Sequence, residues 1–242
     1  MIKVSNLNID IGQNNLISHL NISFNKGEFW AILGKNGIGK TTLLHTLSGL
    51  INYEIGNILV DNKELKSLNP LSRAQKIALL SQHMETGLDC TVQQTIAYGR
   101  YPWSKFKLPN NQEQSIVNKA INQLKLNGLK HKSIQKLSGG ELRKVEMATV
   151  LAQNTDILLL DEPLNHLDLS FRIELMNLLR KLSHKKTIIM VTHDIQYVQA
   201  YCSNVLFIQN NGQVVHGRVK DLMNTATINK MLEINLPNNN FI

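Results

Sequence analysis

Residues 34–41 have the types and spacing of a loop that binds phosphate groups. In order they are Gly34, Lys35, Asn36, Gly37, Ile38, Gly39, Lys40 and Thr41. The glycines let the backbone curl so that several N–H groups point at phosphate oxygens. Lys40 is placed to add a positive charge against the β- and γ-phosphates, and the hydroxyl of Thr41 to ligate Mg²⁺. The alternative interpretation is a glycine-rich turn that binds nothing.

The segments on either side of this loop favour phosphate binding. An apolar run at residues 29–33 precedes the loop and is typical of a buried strand. From Thr41 and Thr42 onward the chain reads as the start of a helix, whose free N–H groups and positive dipole end would face the same anion. A strand, a glycine loop and a helix in this order predict a nucleotide-phosphate site.

Polar residues also follow the ends of three further predicted strands. These residues are Gln82, Asp161, Glu162 and His193. In an open parallel sheet, ligands bind outside the carboxyl ends of the strands. We therefore expect these side chains to meet the phosphate loop in one crevice.

Each of these side chains suits a step in handling a phosphate and a water. We expect Asp161 to hold Mg²⁺, usually through water. Glu162 would act as a general base that polarises a water for in-line attack on the γ-phosphate. His193 would bond to the γ-phosphate, and Gln82 would contact both Mg²⁺ and the attacking water. The alternative is that they are ordinary polar residues that end strands.

Residues 138–141 combine two features of a helix N-terminus. Ser138 and Glu141 have the spacing of a capping box for a helix predicted over 142–152. Capping alone does not require Gly139 and Gly140, and two glycines at a helix start let an anion approach the free N–H groups closely. We therefore predict a second phosphate-binding segment here, and the capping box can hold at the same time.

The hydrophobic pattern divides the chain into a β-rich start, an α/β core and a helical insert. Strands and helices alternate in the last third of the chain, which favours a mostly parallel sheet with crossover helices. Helical spacing of apolar residues dominates 88–150. We predict a single domain, 1–242, in which 1–87 and 151–242 form the core with its β-subdomain, and 88–150 form a helical subdomain.

Composition excludes several classes of protein. The chain has 242 residues, and its 43% hydrophobic content is enough for a substantial core. Its net charge of +8 is spread along the chain, which favours a solvated surface over a polyanion-binding patch. Cys90 and Cys202 lie far apart, which suits a reducing compartment and argues against a disulfide framework. We expect no signal peptide and no membrane span, so a membrane role would need a separate partner.

Taken together, these motifs resemble those of the nucleotide-binding subunit of ABC transporters. The matching segments are 34–42, Gln82, 137–141, 157–163, 167–168 and His193. The resemblance implies a P-loop NTPase (RecA-like) α/β core with an N-terminal antiparallel β-subdomain and an inserted helical subdomain. It also implies ATP and Mg²⁺ as ligands, hydrolysis of the ATP, and a head-to-tail homodimer. ATP would lie between the phosphate loop of one copy and the 138–141 segment of the other.

The resemblance also implies roles and partners. Glu162 would be the catalytic base and His193 the switch histidine, Gln82 would couple the site to a membrane partner, and 165–168 would communicate across the dimer. Integral-membrane permease subunits would be direct partners, and a periplasmic or surface substrate-binding protein an indirect one. Nucleic acid is not among the implied partners. The subunit would lie peripherally on the cytoplasmic face of the cell (inner) membrane.

A narrower resemblance lies in residues 90–103. They are similar to a segment of importers for ferric siderophores, haem and cobalamin, in which a Gly-Arg-Tyr-Pro stretch, here 99–102, precedes variable polar residues. This similarity implies uptake of an iron-siderophore, haem, cobalamin or related metal chelate. The alternative is that 101–103 form only a packed turn. Two other functions stay open: the motor of an exporter, and an ABC-type ATPase that acts on ribosomes or nucleic acid.

The chain departs from the family pattern in three places. Ile11 stands where the family usually has an aromatic residue that stacks on adenine, so base stacking should be weaker or supplied elsewhere. Glu141 replaces a commoner glutamine, and His166 is less usual before the Leu-Asp pair. None of these changes removes a group that handles phosphate, Mg²⁺ or water.

Overall fold

The computed structural model describes residues 1–12, 14–81, 89–104 and 111–233, which form two β-sheets and ten α-helices. The strands are β1 (Ile2–Ile11), β2 (Asn14–Phe24), β3 (Phe29–Leu33), β4 (Asn57–Val60), β5 (Lys63–Glu64), β6 (Ile77–Leu80), β7 (Ile157–Asp161), β8 (Thr187–Val191), β9 (Asn204–Ile208) and β10 (Val214–Arg218). The helices are α1 (Lys40–Ser48), α2 (Pro70–Ala74), α3 (Val92–Tyr98), α4 (Tyr101–Ser104), α5 (Asn111–Gln123), α6 (Gly139–Gln153), α7 (Leu169–Ser183), α8 (Ile195–Tyr201), α9 (Val219–Leu222) and α10 (Thr225–Leu232).

The larger sheet has six strands in the order β10-β9-β3-β8-β7-β6. Its strands from β9 to β6 pair in parallel, and β10 pairs with β9 in antiparallel. Every residue of β3, β7 and β8 is buried, as expected for parallel strands that are covered on both faces. This parallel arrangement brings the carboxyl ends of β3, β6, β7 and β8 to one edge.

The smaller sheet is antiparallel, in the order β2-β1-β4-β5, and packs with α1 against one face of the larger sheet. Side chains alternate along β3, so Trp30 and Ile32 enter this core while Ala31 and Leu33 enter a second core on the other face. The second core is built mainly with the helices that follow β6 and β7. One sheet therefore supports both halves of the molecule.

Helices α3, α5 and α6 pack on one another and form most of the helical part. The predicted capping box starts α6: the Glu141 N–H donates to Ser138 Oγ at 3.3 Å, and the Ser138 N–H donates to Glu141 Oε2 at 2.8 Å. Helix α6 begins three residues earlier than predicted, because this box places Gly139 and Gly140 inside its first turn. The domain boundaries at 88 and 150 stay predictions.

Within the described ranges, no helix has both the length and the apolar content that crossing a bilayer requires.

Candidate functional site

A cavity of about 500 Å³ lies where β3, β7 and β8 end. Its lining residues are Asn36, Gly37, Gly39, Lys40, Thr41, Thr42, Asp161, Glu162, Asn165, Val191 and His193. The structure therefore brings the phosphate loop together with three of the four predicted strand-end residues. The fourth, Gln82, lies outside the described residues.

Two glycines of the loop are required by its backbone. Gly39, which precedes α1, has φ of 105°, a conformation that a residue with a Cβ adopts only with strain. A Cβ on Gly34 would lie 2.9 Å from the carbonyl oxygen of Ile208 in β9. The loop can therefore curl over the sheet edge only with glycine at these positions.

Lys40 lies across the inside of the loop. Its Nζ donates hydrogen bonds to the carbonyl oxygens of Gly34 at 2.9 Å and Lys35 at 2.8 Å. Burial lowers the pKa of Lys40, whereas the nearby carboxylates of Glu162 and Asp161 act in the opposite direction. The loop thus holds one cation facing two acids within a single cavity.

Asp161 is fully buried and ends β7, rather than following the strand as the sequence predicted. Its Oδ2 accepts a hydrogen bond from Thr41 Oγ1 at 2.8 Å, while its Oδ1 has no partner within the part of the chain that the structure describes. A buried carboxylate oxygen without a partner is destabilising unless another group binds it. A hard cation would supply that partner, because Mg²⁺ prefers carboxylate, hydroxyl and water oxygens.

The described residues offer few further ligands for such a cation. No group of three or more His, Cys, Asp or Glu side chains with metal-binding placement occurs in the described part of the chain. Mg²⁺ bound here would therefore take most of its ligands from phosphate and water. That is its usual coordination beside a nucleotide.

Glu162 turns the chain at the strand end with φ of 47°, so that its side chain and that of Asp161 both line the cavity. Burial, and secondarily the charge of Asp161, raise the pKa of Glu162 to about 7.

His193 lies beside this carboxylate. Its Nε2 is 2.9 Å from Glu162 Oε1, which is an ion-pair distance, but the two groups are not aligned for a hydrogen bond. Burial, and then the charge of Lys40, lower the pKa of His193. An acid poised near neutral pH and an imidazole therefore face each other.

We expect Glu162→Gln to raise the free energy of unfolding of the nucleotide-free protein above about pH 7, but not at about pH 4. The folded-state pKa of Glu162 lies above its ordinary value of 4.5, so the folded protein binds more protons than the unfolded chain between these two values. The stability of the wild type therefore falls as pH rises through this window, whereas glutamine carries no charge at any pH. The gain should reach at most about 3 kcal/mol.

Urea unfolding of both proteins at about pH 4, 6 and 8 measures this difference. A gain that is equal at all three values, or no gain at about pH 8, would contradict the raised pKa.

The 138–141 segment does not line the cavity. A Cβ on Gly140 would lie 2.8 Å from the carbonyl oxygen of His166. The packing of α6 against the loop that contains His166 therefore requires glycine at position 140. A Cβ on Gly139 would meet no atom within 4 Å. The fold therefore explains Gly140, whereas nothing within the described residues of one copy explains Gly139.

Arg143 on α6 is not among the residues predicted from the sequence. Its buried guanidinium donates to the carbonyl oxygens of Asp161 and Glu162 at the edge of the cavity. The available signal was a basic residue within a helix whose neighbouring positions, such as Val145 and Met147, are apolar and buried.

A family model described as ABC transporter matches residues 17–165, which include the phosphate loop, the 138–141 segment and Glu162. The chain belongs to the ABC transporter family. It is an ATPase of that family, whose activity is coupled to transport. The predicted enzyme class is therefore confirmed.

Individual ABC proteins match nearly the whole chain. It is 30% identical over 239 residues to the petrobactin import ATP-binding protein YclP of Bacillus subtilis (strain 168), with 98% of this chain and 94% of that protein covered. A metal-chelate type ABC transporter in an inward-facing conformation gives a TM-score of 0.81 at 25% identity, covering 95% of this chain and 88% of that one.

A dimeric bacterial ABC transporter cassette, MJ0796, gives a TM-score of 0.79 at 25% identity, covering 90% and 99% of the two chains. Together with the family match, these two solved structures confirm the predicted fold class, a P-loop NTPase core with an antiparallel sheet and a helical part.

Proposed function

We propose that this chain hydrolyses ATP, with Mg²⁺, to power the uptake of a metal chelate through a separate membrane permease. The iron-siderophores, haem and cobalamin form the candidate substrate class. The observation that carries the proposal is the cavity that unites the phosphate loop with Asp161 and Glu162. Similarity to a petrobactin import protein and to a metal-chelate type transporter supports the direction and the class of cargo.

Lys40 and the N–H groups at the start of α1 would bind the β- and γ-phosphates. Among the described residues, Lys40 Nζ bonds to two carbonyl oxygens of the loop and to no other group, so it can turn toward a phosphate with little rearrangement. A helix N-terminus adds a partial positive charge at the same place. These groups neutralise charge that spreads over the γ-phosphate during transfer.

Thr41 and Asp161 would hold Mg²⁺ at the phosphates. The unpartnered Oδ1 of Asp161 supports this role, as does the hydroxyl of Thr41, 2.8 Å from Oδ2. When bound, Mg²⁺ supplies charge neutralisation at the phosphate oxygens.

Glu162 would accept a proton from the attacking water. A carboxylate whose pKa lies near 7 is suited to this task, since a base works best when its pKa is close to the working pH. His193, beside Glu162, would bond to the γ-phosphate. The role of Gln82, in contacting Mg²⁺ and water and in coupling to the permease, stays a prediction.

A second copy of the chain would complete the site. Gly139 leaves the N-terminus of α6 open, and a γ-phosphate bound by another copy could approach the N–H groups there. Ser138, Gly140 and Glu141 would complete this second phosphate contact. Asn165 lines the cavity within the 165–168 loop, where it would communicate across a head-to-tail homodimer.

The permease would dock beside the helical part. Helices α2 and α4 pack together, and Gln75 Nε2 donates to the carbonyl oxygen of Pro102 at 2.7 Å. Around this junction several apolar side chains are exposed: Leu71, Tyr98, Tyr101 and Trp103. Exposed apolar patches often mark protein interfaces. The subunit would thus lie peripherally at the cytoplasmic face of the membrane, with a substrate-binding protein on the other side.

Residues 101–103 lie in α4 and not in a turn, but Trp103 makes the local contacts that the alternative interpretation expects. Trp103 Nε1 donates to the carbonyl oxygen of Gln153 at 2.7 Å, and its ring lies beside the guanidinium of Arg100, 5.4 Å from the ring centre. Helix α4 leaves Tyr101 and part of Trp103 exposed, so packing and docking are compatible.

Transport by reconstituted vesicles tests the proposed function. The chain and the permease with which it co-purifies would be placed in one vesicle population, and the permease alone in another. We expect ATP-dependent uptake of a ferric siderophore, haem or cobalamin only in the first. ATP-dependent efflux would instead indicate an exporter, and ATPase activity stimulated by ribosomes without a permease would indicate a soluble machine. Either result would overturn the proposal.

A further inference from the structure

We infer that Arg143 is a positioning residue, which ties the backbone of the two catalytic-site acids to the helix that carries the 138–141 segment. The inference deepens the proposed function and rests on it. It concerns a side chain that lies in α6, outside the lining of the cavity.

The guanidinium of Arg143 joins three elements. Its Nη2 donates to the carbonyl oxygens of Asp161 at 2.6 Å and Glu162 at 2.8 Å, where β7 ends. Its Nη1 donates to the carbonyl oxygen of Ser81, directly after β6, at 3.0 Å, and to Glu146 Oε2 in α6 at 2.8 Å. One side chain therefore connects α6 with the ends of two adjacent strands.

The position of Arg143 is set by these carbonyl groups. The side chain is only 4% exposed, and its buried Nε has no hydrogen-bond partner among the residues that the structure describes. Its contacts therefore do not satisfy the arginine fully. They provide instead hydrogen-bond donors for the backbone oxygens of Asp161 and Glu162.

Glu162 is the residue that most needs such support. Its φ of 47° lies in the left-handed region, which residues other than glycine occupy at a cost. The carbonyl groups of Glu162 and of the residue before it both bind the same Nη2. A planar guanidinium can hold such groups in a fixed geometry, whereas a lysine ammonium is a single point charge on a flexible chain.

Because α6 starts with the 138–141 segment, the same contacts couple this segment to the catalytic carboxylate. Arg143 follows Gly139 by four positions, about one helical turn. A shift of the helix N-terminus toward a second copy would therefore act on the backbone of Glu162. In this way Arg143 would couple the position of Glu162 to the contact that α6 of the same copy makes with the ATP of the neighbouring copy.

Arg143→Lys in the full chain tests this role. Lysine keeps the positive charge that pairs with Glu146, but it lacks the planar guanidinium that holds several hydrogen bonds in a fixed geometry. We expect kcat for ATP hydrolysis to fall by about 100-fold, the size of effect that a misplacement of about 1 Å can produce. The Kd for ATP should change by less than about threefold, because the phosphate loop is untouched. A kcat within about threefold of wild type would overturn the inference.

Arg100→Lys is the matched control. Arg100 is also 4% exposed, and it pairs with Glu113 and donates to the carbonyl oxygens of Ala152 and Gln153 at the end of α6. It thus has the same kinds of contacts without reaching β7. We expect its kcat to stay within about twofold of wild type. If both variants lose kcat equally, Arg143 is merely structural, and the inference is wrong.

A double mutant separates this inference from the proposed function. In a Glu162→Gln background, Arg143→Lys should lower the residual turnover by less than about twofold, since the carboxylate that it positions is absent. A further loss of about 100-fold would show that Arg143 acts elsewhere. If Arg143→Lys fails to fold, Arg143→Met combined with Glu146→Gln removes both buried charges and is measured in the same way. Near-normal turnover of Glu162→Gln alone would instead refute the proposed function.

Discussion

Glu162→Gln is expected to lower ATP turnover by about 10³-fold while ATP-driven dimerisation persists. The amide keeps the shape of the side chain but cannot accept the proton of the attacking water. The groups proposed to bind phosphate and Mg²⁺, Lys40, Thr41 and Asp161, are unchanged, so ATP should still bind and hold two copies together. Burial places the pKa of Glu162 at about 7, which is consistent with a base that is ionised over part of the physiological range.

Two measurements on the purified chain decide this prediction. Phosphate release reports turnover, and light scattering or sedimentation with and without ATP reports the dimer. Glu174→Gln is the control, because Glu174 is an exposed carboxylate on α7 that pairs with Lys125. We expect its turnover to stay within about twofold of wild type, since exposed ion pairs contribute little. Turnover of Glu162→Gln within about tenfold of wild type would exclude Glu162 as the general base.

Gly139→Asp is expected to lower ATP turnover by about 100-fold and to abolish its dependence on protein concentration, without loss of folding. In the proposed dimer, the new carboxylate would stand where the γ-phosphate of the other copy approaches α6. Within one copy, the added Cβ would meet no atom within 4 Å. An acidic residue in the first turn also interacts favourably with the helix dipole. The free energy of unfolding should therefore stay within about 0.5 kcal/mol of wild type.

The control for this change is Gly128→Asp. Gly128 lies in a short 3₁₀ helix of the helical part, and a Cβ there would also meet no atom within 4 Å. We expect this variant to hydrolyse ATP at close to the wild-type rate. Gly140 is unsuitable as a control, because any side chain there would press on the carbonyl oxygen of His166. If Ser138 and Glu141 form only a capping box, Gly139→Asp will hydrolyse ATP normally.

The elements of the core could be predicted because local signals agreed with the final fold. The apolar segment of β3, the glycine loop and the start of α1 were all recognisable from residue type and spacing. The same holds for α6, whose capping box is a local hydrogen-bond pattern over four residues. The start of α6 was misplaced by three residues, because glycines count against a helix in propensity although the cap tolerates them.

Other parts of the site depend on contacts between residues far apart in the chain. No local pattern indicates that Gly140 packs on His166, or that Arg143 reaches the carbonyl oxygens of Asp161 and Glu162. The raised pKa of Glu162 likewise arises from burial and from a neighbouring charge. Such effects have no local pattern.

The amino-acid sequence alone specifies the candidate groups for binding phosphate and Mg²⁺ and for activating water, because the loop and the strand-end acids are encoded over a few adjacent residues. It also determined the family, through the order of those motifs. How these groups meet depends on the tertiary fold: Thr41 donates to Asp161, Glu162 faces His193, and Arg143 donates to the carbonyl oxygens of Asp161 and Glu162. Distances between side chains are set by the packing of the whole sheet and its helices, and burial, which only that packing creates, sets the acidity of Glu162.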